Sequence, residues 1–212
     1  MDKTQAIKIV RNCAEKYKAN LLDKNFLFVF IQNGTVKYCE ISCFKRNFLH
    51  LTGLVIDKAQ MSANKFFEKC INNKLSTDEF KFKENGTTEL KLQVLPSLMS
   101  KNLSVTQIGD YYAGCKIELR TDKIIGNGRR GCIGLVYECN TIVPNTVINE
   151  DVRNVVKQGR RIIATFRKDL NEDVYSELVY TSKEYDFKNA NFPNEIDYLK
   201  RIIINYITTK SS

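Results

Sequence analysis

Histidine is nearly absent from this sequence: His50 is the only one in 212 residues. A lone imidazole excludes any ribonuclease mechanism that needs two histidines as acid and base, and it excludes histidine-rich metal sites. No two of the seven cysteines (Cys13, Cys39, Cys43, Cys70, Cys115, Cys132 and Cys139) stand at CxxC spacing. A zinc site needs clustered thiolates and imidazoles, so no metal and no other cofactor is expected. The cysteine count is odd, and most of these residues lie in apolar stretches where a free thiol behaves as a small hydrophobe. A disulfide framework is therefore not expected, and the composition favours a reducing, cytoplasmic setting. Long apolar runs are missing too. The longest, Phe26 to Ile31, is strand-sized and falls far short of the roughly 20 residues of a membrane span. Residues 1–11 carry charges and no apolar leader core, so the mature chain is expected to start here. Internal repeats and low-complexity linkers are absent, and Lys183 to Asn194 is the nearest thing to a linker.

What the sequence does have is positive charge. The formal net charge is +9, with 27% charged and 43% hydrophobic residues. The hydrophobic share suits a globular core. The excess charge attracts polyanions and supplies the salt-sensitive part of nucleic-acid affinity, and it argues against an acidic DNA mimic. A Lys-rich surface that serves solubility alone fits the same numbers.

Residues 2–23 read as an amphipathic helix with Ile7, Val10, Ala14 and Tyr17 on one stripe. Phe26 to Gln32, Asn33-Gly34 and Thr35 to Cys43 read as a tight hairpin. Ser62 caps a helix to Asn72, and Ser76 to Glu79 resembles a capping box. Residues 80–99 fit either a second hairpin around Asn85-Gly86 or a helix from about Thr88, with Pro96 disfavouring helical geometry at Leu95. In the helical reading Lys91 interrupts the apolar stripe. Lys116 to Thr121, Cys132 to Cys139, Arg160 to Lys168 and Val174 to Thr181 are strand-like. Asn149 to Asp151 opens a short helical turn, and Asp197 to Ile207 forms a last helix followed by a fraying end. Helices and strands segregate, which predicts an α+β fold: helices packed on an antiparallel sheet of about four or more strands, with helices at both ends of the chain. The expected organisation is one domain over 1–212, with a core at 25–185, an N-terminal helix at 1–24 and a C-terminal helical extension at 186–212.

His50 draws attention because imidazole is the side chain best suited to proton transfer near neutral pH. In an extended segment Arg46, Phe48, His50 and Thr52 share a face. In a helix Arg46 and His50 still do. A cation and a hydroxyl beside the imidazole would hold a phosphate oxygen. The same spacing fits a histidine that closes a loop by hydrogen bonding. Gly126-Asn127-Gly128-Arg129-Arg130-Gly131 is either an anion-nesting loop or an exposed turn. Arg160, Arg161, Arg167 and Lys168, next to Tyr175 and Tyr180, suit single-stranded RNA or an ordinary sheet surface. Asp78 followed by Glu89-Leu90-Lys91 imitates a metal-dependent nuclease pattern, but so short a pattern arises easily in a Lys-rich chain.

Four pieces, in order, resemble one of the phage-associated barnase–EndoU–colicin–RelE-like (BECR-fold) nuclease families of phage and mobile-element polyvalent proteins. They are Asn47-Phe48-Leu49-His50-Leu51-Thr52-Gly53; Thr121-Asp122-Lys123 through Gly126-Asn127; Gly134-Leu135-Val136 with Val143-Pro144-Asn145-Thr146; and Asp151-Val152-Arg153. The resemblance implies a four-stranded antiparallel sheet and metal-independent endoribonuclease activity by 2′-OH transesterification on RNA such as tRNA or mRNA. It implies His50 as acid or base, Thr52 as an orienting group, and Lys123 or Arg153 as the cation. Arg46 joins them by spacing, and Arg129, Arg130, Arg160, Arg161 and Arg167 are expected to bind nucleic acid. The implied setting is a phage or mobile-element effector or toxin, with an immunity or defence-system protein as a further partner. The alternative is a catalytically inactive RNA- or protein-binding module that acts as an anti-defence inhibitor.

Overall fold

The computed structural model describes residues 1–112, 120–129 and 131–210. Its elements are α1 (Lys3–Asn20), β1 (Lys24–Gln32), β2 (Thr35–Cys43), α2 (Asn47–Thr52), α3 (Ala63–Ile71), α4 (Thr87–Leu98), β3 (Gln107–Asp110), β4 (Lys123–Gly126), β5 (Cys132–Glu138), β6 (Thr141–Ile148), α5 (Val152–Val155), β7 (Arg160–Asp169), β8 (Glu177–Thr181) and α6 (Tyr198–Lys210). The expected α+β class holds, with helices at both ends. The sheet is larger than four strands: its order is β2-β1-β7-β3-β4-β5-β6, β8 adds to β7, and every pairing is antiparallel.

The first hairpin forms as its turn chemistry requires. Asn33 and Gly34 both adopt positive φ, at 50° and 74°, which matches the twist of the flanking strands. Its strand β1 is buried on both sides. Phe26, Phe28 and Phe30 enter the main core, while Leu27 and Val29 enter a second core on the opposite face. The main core lies between the sheet and α1 to α4, and the second lies beneath α6 through Leu199 and Ile203. Strand β7 joins the two halves. Along one edge it pairs with β1; along the other it pairs with β3 near Arg160 and with β8 from Ala164. The sheet curls until its ends meet, where the Ser42 and Thr141 hydroxyls are 3.0 Å apart.

Helix α1 starts on an Asp2–Gln5 capping box, and Ser62 caps α3 as the sequence indicates. Residues 87–98 form the helix α4, which resolves the hairpin-or-helix ambiguity. Pro96 stays inside its last turn, so the disfavoured geometry at Leu95 is tolerated there. The strand expected over Lys116 to Thr121 lies largely outside the described residues, as does Cys115. Strands β3, β4 and β6 were not anticipated. The last helix spans Tyr198–Lys210, ending three residues beyond the expected end at Ile207. Cys13, Cys39, Cys43, Cys70 and Cys132 are buried free thiols and Cys139 is exposed. Burial pushes the thiols of Cys13, Cys43, Cys70 and Cys132 up to about 12, so they stay protonated and inert. Among the described residues, no helix is long and apolar enough to cross a membrane.

Candidate active site

The site is organised by α2. Asn47, almost fully buried, accepts the Phe44 N–H through its side-chain oxygen at 2.9 Å and sets the entry to the helix. Phe48 then anchors it. Its ring lies 5.3 Å from that of Tyr17 and 5.2 Å from that of Phe67. A helix turns about 100° per residue, so anchoring Phe48 inward turns His50 outward, and His50 is exposed. Gly53 ends the helix at φ 70°, a left-handed cap that suits glycine.

Thr52 does not share a face with His50, because the segment is helical rather than extended. It is fully buried, donates to the Leu49 carbonyl at 2.8 Å and accepts the Leu54 N–H at 3.1 Å. Its influence on the site is exerted through the turn it closes. Thr52→Val removes both of these hydrogen bonds in a fully buried position and is expected to lower stability by about 1–3 kcal/mol, read by urea denaturation, with Thr52→Ser recovering most of the loss.

His50 stands where two depressions meet. The first, of about 470 Å³, is lined by Arg46, Asn47, His50, Arg120, Asp122, Tyr137, Glu138 and Asn145 among others. The second, of about 420 Å³, includes His50, Lys58, Lys83, Lys91, Arg120, Asn145 and Thr146. His50, Arg120 and Asn145 line both, so the two form one groove. Arg46 therefore joins His50, as the spacing indicates. It stacks over Phe44 at 4.5 Å and reaches the Glu138 carboxylate at 3.4 Å. Crowding by the groove walls, then the charges of Lys58 and Lys91, holds the His50 imidazolium below its usual range, with Glu138 opposing. The shift favours the neutral imidazole, which is the form a general base needs.

Lys91 is the residue that the motif readings misplaced. It projects from α4 into the second depression, is 9% exposed, and donates to Thr146 Oγ1 at 2.6 Å and to the His50 carbonyl at 3.5 Å. Gly53 makes room for it, while Thr88 and Gly134 hold the surroundings in place. A Cβ on Gly53 would stand 2.7 Å from Lys91 Cδ. Thr88 pins α4 to the Gly53 carbonyl at 2.8 Å. Gly134 lies against Thr146, where an added Cβ would approach Thr146 Cγ2 to 2.6 Å. Burial, then Lys83, lowers the Lys91 ammonium to about 8. Its break in the apolar stripe of α4 was the signal that could have found it. Arg120 and Asn145 were missed as well; Asn145 Nδ2 fixes the Arg120 carbonyl at 3.0 Å.

The remaining expected site residues lie outside the lining of this groove. Lys123 and Arg160 converge on Asp110, at 2.8 and 2.7 Å, where both cations hold the carboxyl below its usual range. Arg153 grips Asp151 and reaches the Gly128 carbonyl at 3.3 Å, beside the exposed Arg129 loop. Arg130 lies outside the described residues. Arg161 pairs with Glu184 at 2.8 Å, and Arg167 holds Glu177 bidentately at 2.7 and 3.0 Å. The metal-nuclease pattern does not assemble. Glu89 meets the N-terminal ammonium at 2.6 Å and Asp78 bonds Ser76, while Lys91 turns inward. No group of three or more metal-ligating side chains occurs among the described residues.

No curated protein and no solved structure matches the chain. Residues 9–184, from the first half of α1 to just beyond β8, match one family. It contains the α2 motif, the whole groove and the sheet that carries it. The chain thus belongs to the phage-Barnase-EndoU-ColicinE5/D-RelE like nuclease4 family, PBECR4.

Proposed function

We propose that this nuclease-family chain is a metal-independent endoribonuclease that cleaves RNA by attack of a ribose 2′-oxygen on the adjacent phosphorus. One observation carries the reading: the only histidine is exposed at the centre of a groove whose second half presents Lys58, Lys83, Lys91 and Arg120. A phosphodiester drawn to those cations would lie beside a neutral imidazole. His50 removes the 2′-proton, and the cations stabilise the charge that builds on the phosphorane oxygens. Tyr137, 65% exposed at the other end, offers a face on which a base can stack. Asp122 is held there by the Tyr137 N–H at 2.8 Å.

The test is incubation of purified protein with total tRNA and mRNA in EDTA, with mapping of new ends. New 2′,3′-cyclic phosphates and 5′-hydroxyls are expected. Cleavage restored only by added Mg²⁺ would overturn the metal-independent mechanism. RNA binding with no cleavage in either buffer would move the chain to the anti-defence binding-module reading. The groove contact is electrostatic, so affinity is expected to fall steeply with salt.

A further inference from the structure

Buried lysines are uncommon unless a carboxylate holds them. Lys91 is 9% exposed, and its contacts among the described residues are a hydroxyl and a carbonyl, at 2.6 and 3.5 Å. In the second depression its charged neighbours, Lys58, Lys83 and Arg120, are all positive, with His50 beside them, and the acidic side chains of the groove, Asp122 and Glu138, line the first depression. Packing demands do not explain the arrangement, since an apolar side chain would fill the channel over Gly53 at lower cost. An ammonium kept in such a place is waiting for an anion.

We propose that Lys91 binds the scissile phosphodiester and protonates the departing 5′-oxygen, completing the acid–base pair with His50. This rests on the endoribonuclease reading above. The 2′-hydroxyl gives its proton to the His50 imidazole as the 2′-oxygen bonds to phosphorus. The bond from phosphorus to the 5′-oxygen breaks, and that oxygen takes a proton from the Lys91 ammonium. The products are a 2′,3′-cyclic phosphate, a 5′-hydroxyl, imidazolium and neutral amine. Proton exchange with water restores both groups. The lowered Lys91 value, about 8, makes the ammonium a stronger acid than an ordinary lysine while leaving it mostly protonated at pH 7.

A dinucleotide with sulfur in place of the bridging 5′-oxygen separates this role from a structural one, because a thiolate leaves without protonation. At saturating substrate, Lys91→Met is expected to slow turnover of the oxygen substrate by about 10²–10⁴-fold and of the sulfur substrate by under about tenfold, since lost phosphate binding then shows in KM alone. His50→Ala should slow both alike. An equal loss on both substrates in Lys91→Met would overturn proton donation by Lys91. Binding of a labelled all-deoxy strand, which lacks the attacking hydroxyl, tests the anion site separately. Lys91→Met should weaken it about tenfold or more, and unchanged binding would overturn phosphate contact. Wild-type protein that cuts neither substrate would sink the endoribonuclease reading and proton donation together. The deoxy-strand titration would still decide the phosphate contact.

Discussion

His50→Ala is expected to lower RNA cleavage by about 10²–10⁴-fold, the usual worth of a general base, while leaving the fold intact. The side chain is exposed on α2, whose position is held by buried Phe48, Leu51 and Thr52. Exposed substitutions of this kind shift stability by about 0.5 kcal/mol or less, so the melting temperature should move by about 2 °C at most. The pH profile gives a second, independent readout. A base works only when deprotonated, so the rate should fall on acidification through the His50 pKa. Crowding and the charges of Lys58, Lys91 and Lys83 place that pKa below the ordinary 6.5. Glu138 opposes them, so Glu138→Gln should push the acid limb lower still. The measurement is kcat/KM against pH for wild type and Glu138→Gln. An acid limb at or above pH 6.5, or an unimpaired His50→Ala, would remove His50 from the chemistry.

The local parts of this fold were legible and the convergent parts were not. Asn33-Gly34 announces its hairpin because two residues alone supply the needed positive φ. Ser62 announces α3 because its hydroxyl caps the third amide of the helix. By contrast, β3 spans four residues, too few to show alternation, and β6 contains Pro144, which normally argues against a strand. Pro144 fits because the β5–β6 register shifts beside it, between Gly134 and Leu135. The site divides in the same way. Arg46 and His50 share a face in either a helix or a strand, so their meeting could be read directly. Thr52 shares that face only in a strand, and α2 is a helix. Lys123 and Arg160 lie far apart in sequence and meet at Asp110 only because β3 runs between β4 and β7. Lys91 was visible as a flaw in a helical stripe, yet its meaning depends on Gly53 and Thr146, which only the folded chain brings to it.

Lys91→Met is expected to make the protein more stable while disabling it. Shifting the ammonium from 10.5 to about 8 corresponds to roughly 3 kcal/mol of unfavourable burial, at about 1.4 kcal/mol per unit. Loss of the Thr146 hydrogen bond returns about 1 kcal/mol. Methionine is flexible enough to follow the lysine stem past Gly53. The net gain is about 2 kcal/mol, or about 4–8 °C in melting temperature for a chain of this size. The sign of the pH dependence follows from the same shift. Between about pH 8 and 10.5 the unfolded lysine holds its proton more tightly than the folded one, so unfolding takes up a proton and wild-type stability rises with pH. The methionine variant has no such dependence at this position. Its advantage should be largest below pH 8 and less than half as large at pH 9.5, measured by urea denaturation at pH 7 and 9.5. A variant less stable than wild type at pH 7 would mean that the ammonium is held by attraction in the folded chain, and would remove the reason to call it poised for an anion. A more stable, inactive variant would show that this groove keeps a destabilising charge for its chemistry, a common bargain where stability and function compete for one position.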